Sequence, residues 1–225
     1  MANVTAKDVK VLRDRTGAGM MDCKNALVEA DGDQEKALEI IQAKGLAKAA
    51  KKAGAIAAEG MIHGYIHAGS RVGVVVEVNC QTDFVARNEE FIAFANEIGL
   101  QIASSSPLYV RREDVPQDDI DSRIRVFEGQ LAEEAKETGK EKPAAAISKI
   151  IEGKLNKWYT SVCLDEQELV TRDEKTTVAS AAEALTAKLG EKIAVRRFTR
   201  YELGEGIEVA KKDLAADVAE TLANA

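Results

Sequence analysis

The run Val72-Gly73-Val74-Val75-Val76-Glu77-Val78 limits what this chain can fold into more than any other stretch. β-Branched residues fit a pleated surface, and the valines at 72, 74, 76 and 78 share one face, so the run reads as a buried strand. It leads into Asn79-Cys80-Gln81-Thr82-Asp83-Phe84-Val85-Ala86-Arg87-Asn88, and then into a helix expected from about Asn88-Glu89-Glu90. A strand-to-helix corner is a rigid platform. On it Phe84 stands beside an acid, Asp83, with a cation, Arg87, a few residues on. The spacing leaves two readings of Phe84 open: core filler closing the corner, or an apolar wedge that leaves the scaffold with two charges.

The rest of this unit is organised around that strand. Residues 62–67 and 72–80 flank Ala68-Gly69-Ser70-Arg71, which has the turn chemistry of a hairpin. Alternation in Met61-Ile62-His63-Gly64-Tyr65-Ile66-His67 groups His63, Tyr65 and His67 on one half-exposed face and sends Ile62 and Ile66 toward the core. His63 and His67 are the only histidines, and no Cys, Asp or Glu shares their face, so no zinc site is expected. After the corner, Phe91, Phe94, Ala95, Ile98 and Ile102 recur at helical spacing and give that helix an apolar side to lay across the sheet, until Ser104-Ser105-Ser106-Pro107 ends it.

Two further apolar stripes follow Pro116: Ile120, Ile124, Phe127 and Leu131, then Ile147, Ile151, Leu155, Trp158 and Val162. Joined across Gly139 and Pro143, they describe an antiparallel helical hairpin over about 118–162 with a charged tip. A helix over 176–189 leads to a β-rich run at 193–203, the expected third strand, which Gly204-Glu205-Gly206 ends. Leu214, Val218 and Leu222, four apart, predict an amphipathic tail helix that needs a surface to dock on.

The first 44 residues read as a separate three-helix unit. Thr5-x-x-Asp8 has the form of a capping box with the shorter acid, and Val9 and Leu12 supply the first apolar stripe. Thr16-Gly17-Ala18-Gly19 stops that helix, Asp31-Gly32 breaks the second, and Asp33 can cap a third carrying Leu38 and Ile41. Met20 and Met21 divide between two roles, one in the core and one a plastic contact on a partner surface. Residues 45–58 are rich in Ala, Gly and Lys and are expected to be a partly helical linker. The fold class is therefore α+β: three-helix unit 1–44, linker 45–58, core 59–203 and tail 204–225.

Apolar residues make up 45% of the 225 and charged residues 31%, the balance of a globular chain. A net charge of -7 argues against a dedicated nucleic-acid binder, whose footprint is a basic face. No apolar stretch reaches the ~18 residues of a membrane span, and Met1-Ala2-Asn3-Val4 does not open a signal sequence, so a soluble intracellular protein is expected. Cys23, Cys80 and Cys163 are odd in number without Cys-x-x-Cys spacing, which favours buried thiols over ligands or nucleophiles. No phosphate loop, Gly-x-Ser-x-Gly or nucleophile-and-histidine set is present, so the chain reads as a binding protein without cofactor rather than an enzyme.

Three motifs taken in order resemble the bacterial-type elongation factor Ts family: Thr16-Gly17-Ala18-Gly19-Met20-Met21-Asp22-Cys23-Lys24, Thr82-Asp83-Phe84-Val85-Ala86-Arg87-Asn88, and Gly204-Glu205-Gly206-Ile207. The resemblance implies a guanine nucleotide exchange factor that releases GDP from the GTPase elongation factor Tu, in bacterial cytoplasm or plastid stroma, with no direct nucleic-acid or membrane contact. It implies a ubiquitin-associated-like first domain and a hairpin that projects from the core. Its partner-binding residues fall here on Arg13, Met20, Met21, Thr82, Asp83, Phe84, Val85, Arg87 and Asn88, within a heterodimer or higher assembly. Phe84 would push between a pair of helices of the GTPase domain, and Asp83 would pull at the loop that holds Mg²⁺ and phosphates. Only one strand-strand-helix unit is present, as in the short form of the family, and Gln101 stands where the longer form has a partner-touching histidine. The first domain alone also fits a ubiquitin-like or nascent-chain adaptor. Asp83-Phe84, for which an adaptor has no use, discriminates between them.

Overall fold

The computed structural model describes residues 4–139, 142–172 and 175–207, so the tail-helix expectation at Leu214, Val218 and Leu222 lies outside the described residues. Helix α1 (Ala6–Thr16) opens with the expected capping box: Asp8 N donates to Thr5 Oγ1 at 3.3 Å, and Thr5 N donates to Asp8 Oδ2 at 3.0 Å. Gly17, left-handed at φ 66°, ends it. Helix α2 is Met20–Glu29, and α3 (Gln34–Lys52) is capped by Asp33, whose Oδ1 accepts from Glu35 N and Lys36 N at 3.0 and 3.1 Å. Val9, Leu12, Cys23, Ala26, Leu27, Ala30 and Ala37 form a cluster of their own between these helices.

Helix α3 does not stop near residue 44 but runs to Lys52 through most of the stretch expected as a partly helical linker. Its second half packs on α8 (Val178–Leu189), so closely that a Cβ added at Gly45 would lie 3.1 Å from Ala187 Cβ. Glycine at 45 costs helix propensity but permits this approach.

The core is α+β. Strands β1 (Glu59–Ile66), β2 (Val72–Cys80) and β3 (Ala194–Glu202) form one antiparallel sheet in the order β1-β2-β3, with the valine-rich strand in the centre. Register pairs Tyr65 with Val74, His63 with Val76 and Met61 with Val78, while Phe198 meets Val76 from the other side. Helix α5 (Glu89–Ser105) crosses that face and buries Phe91, Phe94, Ala95, Ile98 and Ile102 against Val74, Val76 and Val78, with α8 beside it. This is the apolar stripe expected of the helix after the corner.

The hairpin face of β1 is the reverse of the expectation. Met61 and Tyr65 pack toward the core, whereas Ile62 and Ile66 are 61% and 68% exposed. The cause is α5: a Cβ on Gly99 would fall 2.7 Å from Tyr65 Cβ and 3.6 Å from the His63 ring, so the helix offers Tyr65 and His63 the space that isoleucines were expected to fill. Together with Val75 and Tyr201, Ile62 and Ile66 leave an apolar stripe on the outer face of the sheet.

Helices α6 (Gln117–Thr138) and α7 (Ala144–Val162) pack on one another. Lys142 Nζ reaches Glu134 Oε1 at 2.6 Å and Lys154 Nζ reaches Gln130 Oε1 at 3.0 Å, while the Arg123 guanidinium stacks 5.2 Å from the Trp158 ring. Partners that move apart together along the two helices make the pair antiparallel. Leu131 is the single residue of α6 classed as buried, and α7 has none among the described residues. Cys23, Cys80 and Cys163 are all buried free thiols, as their spacing led us to expect.

Candidate functional site

The corner after β2 folds for reasons visible residue by residue. Thr82, extended at φ -132°, caps a one-turn helix α4 (Asp83–Ala86), accepting from Val85 N at 3.5 Å. Asn88 caps α5 in turn, its Oδ1 accepting from Glu90 N at 2.8 Å. The sequence led us to expect one corner and one helix; the intervening turn α4 is additional. Val85 and Ala86 pack against the core cluster, and because successive residues of a helix step by about 100°, that seating turns Asp83 and Phe84 outward. Phe84 is 81% exposed, which removes the core-filler reading. Asp83 and Arg87 pair across the turn at 2.9 Å.

Behind the corner the chain is tied down. Asn79 is buried and donates to the Glu59 carbonyl at 3.1 Å, and the Cys80 thiol donates to the Thr82 carbonyl at 3.1 Å. Burial, and then the charge of Glu191, push the Cys80 thiol pKa upward, so this sulfur is a packed side chain and not a nucleophile. Glu191, from the turn between α8 and β3, receives three donors from the corner: Thr82 N at 2.9 Å, Gln81 N at 3.1 Å and Thr82 Oγ1 at 2.8 Å. Sequence reasoning missed Glu191. Lone acids in loops carry no signal, and only the fold brings this one across 109 positions to Thr82.

Seven of the residues singled out from sequence therefore divide by role in the local structure. Thr82 and Asn88 are caps, Val85 is a seat, and Asp83, Phe84 and Arg87 form the exposed crest. The seventh, Gln101, is 1% exposed and bonded wholly within the chain. Its Nε2 lies 3.0 Å from Ser105 Oγ, 3.1 Å from Gln167 Oε1 and 3.2 Å from the Glu168 carbonyl, and its Oε1 accepts from Val170 N at 2.9 Å. It braces α5 against the segment before α8 and offers nothing to a partner.

Arg13, Met20 and Met21 stand apart from the corner, on α1 and α2. Met20 and Met21 are 51% and 65% exposed, so the expectation that one of them fills the core is wrong. The buried face of α2 starts one turn later, at Cys23, Ala26 and Leu27, and Ala18 packs at the near edge of the cluster.

Two grooves of about 630 and 730 Å³ follow the seam between α3 and α8; neither is lined by a histidine, cysteine or serine. Among the described residues no group of three or more His, Cys, Asp or Glu could hold a metal ion, and no helix is long and apolar enough to cross a membrane. The exposed crest, rather than a cavity, is the feature to be explained.

A family profile described as Elongation factor TS matches residues 45–205, well over half of the chain and all of the sheet, corner and hairpin helices. The chain belongs to the elongation factor Ts family. The Elongation factor Ts of Myxococcus xanthus is 52% identical over 225 residues, covering 100% of both chains. Those of Desulforamulus reducens and Caldanaerobacter subterraneus are 51% identical over 219 residues and 53% identical over 205, covering 97% and 91% of this chain and 98% and 99% of theirs. Membership makes the protein a translation elongation factor of the guanine-nucleotide-exchange kind.

Proposed function

We propose that this member of the family promotes GDP release from elongation factor Tu by inserting Phe84 between two helices of the GTPase domain, while Asp83 acts on the loop that holds Mg²⁺ and phosphates. The observation that carries the reading is an 81% exposed phenylalanine on a capped, tied-down corner. An apolar ring held in water on a rigid platform has its ordering cost met before binding, and burying it in a partner returns the whole of its transfer free energy.

The mechanism is linkage. A factor that binds nucleotide-free elongation factor Tu more tightly than its GDP form weakens GDP by the same ratio, and a hundredfold effect needs a coupling of about 3 kcal/mol. One buried aromatic and a disturbed Mg²⁺ shell are of that order. The chain itself transfers no group, binds no cofactor, and is not an enzyme in the hydrolytic sense. It works as one half of a heterodimer or larger assembly, without contact to nucleic acid or membrane.

The other elements widen the contact. The three helices with their own apolar cluster act as a ubiquitin-associated-like domain that presents Arg13, Met20 and Met21 to the same partner. The α6–α7 pair, nearly without buried residues, acts as an arm projecting from the core. Release of labelled GDP from elongation factor Tu, measured with this protein and with Phe84→Ala, tests the reading: strong acceleration that Phe84→Ala loses supports it. Equal acceleration by both proteins refutes it.

A further inference from the structure

We infer that Glu191 is a positioning residue for exchange: its carboxylate clamps the corner from behind and holds the Asp83-Phe84 crest at a fixed angle. The inference rests on the exchange reading above and specifies what makes the crest rigid. Both oxygens are used. Oε2 accepts from Gln81 N at 3.1 Å and Thr82 N at 2.9 Å, and Oε1 accepts from Thr82 Oγ1 at 2.8 Å. These are charge-assisted bonds to the two residues that follow β2 and lead into α4, the only backbone between the strand and the crest. Without the carboxylate, two partly buried amides lose their partner, and α4 hangs on the Thr82 cap and the seat of Val85 and Ala86.

The clamp is itself held. Gly190, left-handed at φ 77°, closes α8 and turns the chain so that Glu191 follows directly, and a side chain at 190 would be strained in that conformation. Ile193 N donates to Thr186 Oγ1 at 3.0 Å inside the core and pins the turn back to α8, and Lys192 N donates to Gln81 Oε1 at 3.2 Å, so the residue next to Glu191 also grips the corner. Lys192 Nζ reaches on to the Ala53 carbonyl at 2.6 Å just beyond α3. A charged group brought from 109 positions away, engaging two amides and a hydroxyl of one corner, does more than cover a surface.

A wedge transmits force only if its base does not yield. A loosened corner must be re-ordered each time the partner's nucleotide site is strained, and that cost is subtracted from the coupling between the factor and GDP. The effect therefore falls on the rate at saturation more than on the concentration needed to reach it.

The experiment uses full-length protein and elongation factor Tu loaded with labelled GDP. Glu191→Ala is expected to slow GDP release at saturating factor about tenfold, equivalent to about 1.4 kcal/mol, with the half-saturating concentration within about twofold. Glu191→Gln is expected to recover most of the rate, because its Oε1 can accept both amides and its Nε2 can donate to Thr82 Oγ1. In the free protein, hydrogen exchange at the Gln81 and Thr82 amides should speed at least tenfold in Glu191→Ala while the amides of Val74, Val76 and Val78 stay protected. That readout also separates a local release of the corner from general unfolding. Phe84→Ala is run alongside. If Phe84→Ala leaves release unchanged, the exchange reading fails and the inference falls with it. If Phe84→Ala slows release but Glu191→Ala does not, or if the two amides keep their protection, the clamp alone is overturned. If Glu191→Ala does not fold, Glu191→Asp, which draws the carboxylate back by one methylene and leaves the Thr82 cap of α4 intact, must slow release at saturation or the inference is rejected.

Discussion

Arg87 Nη2 donates to Asp83 Oδ2 at 2.9 Å across the single turn of α4, both side chains lying largely in water. The acid and the cation of the crest are thus engaged with each other in the free protein. A solvated pair one helical turn apart contributes only about 0.3–0.5 kcal/mol, so a partner can take either charge at little cost. Between them in the chain Phe84 has no such company.

Asp83→Ala should therefore leave folding almost untouched, with a change within about 0.5 kcal/mol, yet slow GDP release from elongation factor Tu. Loss of about 1 kcal/mol of coupling corresponds to roughly a fivefold slower release. Denaturant unfolding and a GDP-release assay on the same preparation check both halves. A drop in stability with unchanged release would show that the carboxylate serves the fold.

Gly99→Ala probes the packing that set the face of β1. Alanine gains about 1 kcal/mol of helix propensity over glycine, but its Cβ would meet Tyr65 Cβ at 2.7 Å. A Cβ cannot swing away as a flexible tip would, so α5 or β1 must shift, at a cost of typically 1–3 kcal/mol. The expected outcome is a lower melting temperature, with a smaller penalty when Tyr65 is also reduced to glycine, which lacks the Cβ that is met. A rise in melting temperature for Gly99→Ala would mean that α5 does not sit on Tyr65.

Asp165 supplies a pH signature. Burial pushes its carboxyl pKa up to about 6, despite Arg111 Nε at 3.1 Å, which pulls the other way. A carboxyl raised in the folded state contributes stability that is fully present below its unfolded value near 3.8 and is lost as pH rises through about 6. Asp165→Asn removes that dependence. The variant should gain on the wild type from pH 4 to pH 6.5 and hold a constant advantage above, read from melting temperatures across the range; a gain that is equal at all pH values would exclude this origin.

What could be read from the chain follows the reach of each signal. Period and punctuation are local, and they located the first two helices, the start of α3, the valine strand, the corner, α5 and the α6–α7 pair within a few residues. Choosing which face of β1 points inward is not local, because Ile62 and Ile66 win on hydrophobicity while Gly99, over thirty positions later, decides for His63 and Tyr65. The same limit hid the run of α3 through Gly45, which is useful only because Ala187 lies against it, and the burial of Gln101, whose four bonds are supplied by the segment before α8 and its own helix. Asp83, Phe84 and Arg87 lie within five positions and were visible as a group, but spacing left Phe84 open between core and wedge until its exposure removed the core reading. Glu191 was not visible, since nothing near it in the chain announces what it holds.

Phe84→Ala decides between a ring that serves the fold and a ring that serves a partner. Emptying a buried phenylalanine site costs about 3–5 kcal/mol, whereas truncating a side chain already 81% in water should change stability by less than about 1 kcal/mol. If the ring supplies about 2 kcal/mol of the coupling with GDP, its loss slows release roughly thirtyfold. Asp83 and Phe84 leave the same turn and, in the mechanism we propose, act on one nucleotide site, so the double variant should lose less than the sum of the single losses in free energy. Thermal unfolding and GDP release for Phe84→Ala, Asp83→Ala and the double variant, all at saturating factor, measure these quantities together. Strictly additive losses would separate the two residues into independent contacts. A melting temperature lowered by many degrees with release intact would return Phe84 to the core, against its exposure in the fold.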